Sequence, residues 1–229
     1  MNKNIFILLQ INDALFPIGA YSHSYGLETY IQKNIVKDID TVFKYLKCNL
    51  KTTILYTELL SISLAYDYAK DNKLNEIIRL EEIINASKIP SEIRLASQKL
   101  GSRFIKTVEA IEISTKGQIF NDYIKASKEI QPTHSVAYGV FCSAVGIEKI
   151  KAIEGFLYSY TSSTITTCVK SIPLSQTHGQ RLLYKSYEIF EEILSILPSL
   201  TLKDLCISTP SFDIRCMQHE TLYSRLYMS

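Results

Sequence analysis

Residues 136–147 carry no charge and include Ala137, Gly139, Ser143, Ala144 and Gly146. Wound as a helix, this stretch is apolar all round, and such a helix is stable only when other elements enclose it. The rest of the chain is suited to that task. The 229 residues include 8 Gly and 6 Pro, about half of average usage, which disfavours a turn-rich sandwich or barrel and favours long helices. The length allows one large domain with a substantial core. The expectation is an all-α, single-domain helical bundle spanning 1–207, followed by a dependent C-terminal tail over 208–229.

Amphipathic spacing places the enclosing helices. After an apolar first segment (5–16) ending against Pro17, helices are expected over 24–36, 41–70, 73–87, 90–113 and 118–129, with Pro90 and Pro132 in first turns. Segment 148–171 is rich in hydroxyls, yet no comparable strand exists to pair with it, so it reads as helix. Thr177 and Gln180 have capping-box spacing for a helix to about Leu197, ended by Pro198. Ser208, Thr209, Pro210 and Ser211 read as a linker to one last amphipathic helix over 212–227, mobile until a partner covers Leu222, Tyr223, Leu226 and Tyr227. The other reading of that helix is that it docks on its own core.

Charge and motifs exclude several functions. Twenty-five Lys plus Arg against 23 Asp plus Glu leave +2 without a basic concentration, which gives no nucleic-acid footprint. The N-terminal apolar run is too short for a signal peptide and no segment approaches a membrane span. Five cysteines without a Cys-x-x-Cys pair fit reduced thiols, and a cytoplasmic protein is expected. There is no phosphate loop, dinucleotide fingerprint, His-Glu-x-x-His or nucleophile elbow. Ser22, His23 and Glu28 form a Ser-His-acid set on paper only. Asp213, Cys216 and His219, at i, i+3 and i+6, are the best metal-like cluster, though a structural tail is favoured over a site. His134 and Tyr138 lie one turn apart, and a satisfied core histidine is favoured there over a ligand.

The segment from Phe16 through Pro17, Gly19, Tyr21, Ser22, His23, Tyr25 and Gly26 to Glu28 is a turn crowded with aromatic and hydroxyl groups opening a helix. It resembles the signature of the UreF family of urease accessory proteins. The resemblance continues at Thr133-His134-Ser135-Val136-Ala137-Tyr138-Gly139-Val140, at Val145-Gly146-Ile147, at Pro173-Leu174-Ser175-Gln176 with Gly179-Gln180, and along the tail from Met217 to Tyr227. The departures are Ala20 where Ser is frequent, Ser175 where Gly is common and His178 in place of Asp.

The resemblance implies an all-α, homodimeric protein with no catalysis of its own. Such a protein joins the accessory protein UreD (or UreH), recruits the GTPase UreG and delivers nickel to apo-urease, with no tightly bound cofactor and nickel only in transit. Tyr21 and Arg225 are the residues it carries over to the GTPase-recruiting surface. The candidate partner surface also takes in His23, Glu28, Met217, His219, Glu220, Leu222, Tyr223, Leu226 and Tyr227. A wet passage lined by Thr161, Thr164 and Gln176 is the tunnel it suggests for nickel, with close helix packing the other reading of those groups. The rival function is a helical enzyme using His23 or His134 as general base.

Overall fold

The computed structural model describes residues 3–207 and 209–228. Ser208 of the expected linker, and Met1, Asn2 and Ser229 at the ends of the two expected spans, lie outside the described residues.

The uncharged stretch is the central helix α8 (His134–Val145), with Ser135 through Cys142 buried without interruption. Preceding it are α1 (Lys3–Ile11), α2 (Leu27–Gln32), α3 (Ile39–Asn49), α4 (Leu60–Lys70), α5 (Leu74–Ser87), α6 (Ser91–Ala110) and α7 (Ile119–Ala126). After it come α9 (Lys149–Ser171), α10 (Gln176–Lys185), α11 (Tyr187–Ile196) and α12 (Pro210–His219), and no strand occurs among the described residues. α4 and α6 lie closest to α8. Gly139 makes the first approach possible: a Cβ there would sit 2.7 Å from the Ile62 carbonyl of α4. Gly146, in the left-handed region (φ 83°), closes α8 by sending its own N–H and that of Ile147 to the Cys142 carbonyl.

Local chemistry accounts for the elements. Asp38 and Thr41 form a reciprocal capping box at the start of α3. α3 and α4 belong to one helical rod whose middle, Leu50–Leu59, widens to π-type winding. α9 is helical throughout, and the hydroxyls of Thr161, Thr164, Thr166 and Thr167 are satisfied within it by donating to the carbonyls four residues back.

Several expected boundaries need correction. Helix 24–36 is confined to α2, because Tyr25 and Gly26 both take positive φ and Asn34 ends it at φ 59°. Pro90 and Thr133 stand at the N-cap positions of α6 and α8, so Pro90 and Pro132 fall just before the helices. The cap of α10 is Ser175, whose hydroxyl accepts from the His178 N–H, while the expected 177–197 helix breaks at buried Ser186 into α10 and α11. The last helix stops at His219, and residues 220–228 run as turns.

A second, smaller core holds α12. Leu27, Val42, Tyr45, Leu46, Ile165, Cys168, Leu182 and Leu183 form it together with Phe212, whose ring lies 5.8 Å from those of both Tyr30 and Tyr45. The first half of the tail is thus core.

Candidate partner-binding surface

The C-terminal tail is stitched to the N-terminal turn, to α2 and to the start of α6. Gly26, with no Cβ, lets α12 come close enough that a Cβ there would lie 2.7 Å from Cys216 Sγ. That approach places His219, fully buried, between two carboxylates: Nε2 is 3.1 Å from Glu28 Oε2 and Nδ1 is 2.8 Å from Glu92 Oε2. Glu28, itself buried, also accepts from the backbone N–H groups of Leu226 (2.7 Å) and Tyr227 (3.2 Å). Arg225 Nη1 donates to the other oxygen of Glu92 at 2.7 Å. Gln32 Nε2 donates to the Ser224 carbonyl, Ser91 Oγ to Glu220, and the Met228 N–H to the Ser22 carbonyl.

The tail therefore crosses α2 as a strap ending beside the N-terminal turn, with apolar side chains in solvent. Tyr21 is 68% exposed and Leu226 80%; Tyr223 is fully exposed, Met217 and Met228 are exposed, and Leu222 and Tyr227 are half-buried. The structure brings Glu28, His219, Arg225, Leu226 and Tyr227 into one network and sets Tyr21 next to it in the chain from Ser22, which holds the strap's end. Glu92, Gln32 and Met228 were missed from the sequence. Glu92 looks like an ordinary first-turn acid of α6, and nothing in its own segment shows that it faces His219.

The other candidates do not assemble. Ser22 Oγ donates to the Gly19 carbonyl, His23 is buried with its ring 5.9 Å from that of Tyr25, and Glu28 is occupied by the strap, so the Ser-His-acid set is not formed. Burial, followed by the charges of Lys99 and Arg103, lowers the His23 pKa. Cys216 Sγ donates to the Tyr25 carbonyl, Asp213 is half-buried, and no group of three or more His, Cys, Asp or Glu suited to a metal occurs among the described residues. Thr161 and Thr164 spend their hydroxyls on their own helix and Gln176 is exposed on α10.

None of those three lines the partly open pocket of about 320 Å³. Its walls come instead from the π-wound segment (Thr53, Thr57, Glu58) and from Lys88, His134 and Tyr160. Lys88 and Glu58 form a buried ion pair there. Burial pushes the His134 pKa down to about 4, so its imidazole is neutral, and its Nε2 is buried without a hydrogen-bond partner. Its ring packs against Phe104, Tyr138 and Phe156.

No helix among the described residues is long and apolar enough to cross a membrane. The fold and surface define an all-α scaffold marked by exposed aromatic and aliphatic groups on a C-terminal strap and the turn beside it. The UreF family model matches residues 36–187. The chain is 30% identical over its full length to the full-length urease accessory protein UreF of Lachnoclostridium phytofermentans. It is 32% identical over 97% of its length to 94% of the urease accessory protein UreF of Haemophilus influenzae strain PittEE. The chain belongs to the UreF family of urease accessory proteins.

Proposed function

We propose that this protein is a non-catalytic assembly factor for urease maturation: it joins a UreD/UreH-type accessory protein, forms a homodimer, recruits the GTPase UreG and supports nickel delivery to apo-urease in the cytoplasm. The observation that carries this reading is the strapped surface, where Tyr21, Tyr223, Leu226 and Met228 leave apolar area in water on backbone that is already ordered. Exposed aromatics on a rigid support are what a protein partner covers at low entropic cost. Family membership supports reading those partners as a UreD/UreH-type protein and the GTPase UreG. Nickel is cargo in this reading. The isolated chain should bind it weakly, since Cys216 and His219 are already engaged.

The test is co-purification with the UreD/UreH-type protein and with UreG. Tyr21→Ala and Tyr223→Ala are expected to abolish or sharply weaken capture while leaving the helical circular dichroism unchanged. Full capture by the double variant would refute the surface. Hydrolysis of GTP by the purified chain would refute its non-catalytic role.

A further inference from the structure

Three walls meet at the partly open pocket of about 320 Å³: the π-wound segment Leu50–Leu59, the turn leading into α6, and the first turns of α12. π winding of this kind recurs at functional sites. Four rings line the space, those of Tyr25, Phe156, Tyr160 and Phe212, with the Tyr25 and Tyr160 centroids 6.1 Å apart. A concave, largely apolar space of this volume with a few polar groups in its walls is the ordinary form of a small-molecule site.

The charges decide what the pocket suits. Lys88 and Glu58 are paired with each other and cancel. Burial keeps the His134 imidazole neutral and pushes the pKa values of Tyr25, Tyr160, Cys206 and Cys216 upward, so all five are uncharged near neutral pH. What is left is Asp213, a half-buried carboxylate with no ion pair among the described residues. The cation that acts on it is Lys88, which already holds Glu58. The pocket thus carries one net negative charge beside aromatic faces, and both attract a cation. We propose that this pocket binds a small organic monocation, an amine or ammonium group on an apolar body, with Asp213 as its counter-ion. Such a ligand adds a contact between α12 and the π-wound segment, which are already joined through the Thr53 and Thr209 hydroxyls, 3.0 Å apart. The site does not depend on the function proposed above. Asp213 also lies in the first turn of α12, where a carboxylate is favourable in its own right, so a neutral replacement and a neutral ligand are both needed to separate the two roles.

The experiment is calorimetric titration of the intact chain at neutral pH with hexylammonium, hexanol and hexanoate, which share an alkyl body and differ in charge. Hexylammonium should bind about tenfold or more tighter than either of the others and should raise Tm as its concentration increases. Asp213→Asn should weaken it about fivefold, the worth of one part-exposed charge pair, and leave hexanol unchanged. Ile93→Trp, which fills the space without removing a hydrogen bond, should abolish binding of all three. Both variants should keep the helical circular dichroism. Equal or tighter binding of hexanoate, no binding of hexylammonium to the unaltered chain, an unchanged affinity in Asp213→Asn, or retained binding in a folded Ile93→Trp would overturn the site. So would tighter binding of Nα-acetyl-lysine amide than of hexylammonium, which would assign the pocket to a protein side chain.

Discussion

At the scale of single residues, two buried titratable groups set opposing pH dependences. Glu81 of α5 is buried and accepts from Tyr123 Oη (2.5 Å), from Thr133 Oγ1 (2.7 Å) and from the Thr133 N–H, tying α5, α7 and the start of α8 together. Burial raises its pKa from 4.5 to about 7. Stability that is complete below pH 4.5 is therefore lost as pH climbs to 7, by about 3 kcal/mol. His134 works in the other sense. Its pKa is lowered from 6.5 to about 4, so stability present above pH 6.5 is lost as pH falls towards 4. The two offset each other between these limits, and single variants should separate them. In urea titrations Glu81→Gln should become more stable with rising pH up to about 6.5, and His134→Gln should become less stable from 4.5 to 7. Parallel profiles for the two variants would refute the assignment. Arg225 is a different case, since its bond to Glu92 is part-exposed. Arg225→Lys should shift stability by less than about 1 kcal/mol but weaken UreG recruitment by roughly 1 to 3 kcal/mol, read as the change in Kd.

Among the elements, the crossing of α4 and α8 is the tightest to test. The absent Cβ of Gly139 faces backbone and the Ala65 side chain, neither of which can rotate away. Gly139→Ala should cost about 1 to 3 kcal/mol by overpacking, measured as a lowered urea midpoint at constant slope, despite alanine's better helix propensity. A midpoint equal to that of the unaltered chain would mean the helices separate more easily than this packing implies. The threonines of α9 show why β-propensity misleads within a helix. The helix's own ladder satisfies the backbone without a partner strand, and each hydroxyl finds a carbonyl four residues back.

For the whole molecule, the tail divides into a core half and a surface half. Deleting all of 208–229 would strip Phe212 from between Tyr30 and Tyr45 and expose Leu27 and Leu46. A cut after His219 spares that core. The shorter deletion should keep the helical signal and lose capture of the UreD/UreH-type partner, whereas the longer one should also lower Tm; equal Tm values for both truncations would contradict the packing. The sequence by itself determined the all-α class, the central position of α8 and the helical nature of α9. These depend on periodicity, on charge and on hydrogen bonds made within one helix. It also singled out the N-terminal turn and the tail as a pair through family resemblance. What only the tertiary structure decided is how they meet. Glu28, Glu92 and His219 stand on α2, α6 and α12, far apart along the chain, and their contact depends on the glycine at position 26 and on a second core that no single segment encodes. The end of the last helix at His219 was hidden for the same reason: the spacing of Leu222 and Leu226 suits a helix, but the N–H groups of Leu226 and Tyr227 bond to a carboxylate from α2 instead of to carbonyls of their own turn.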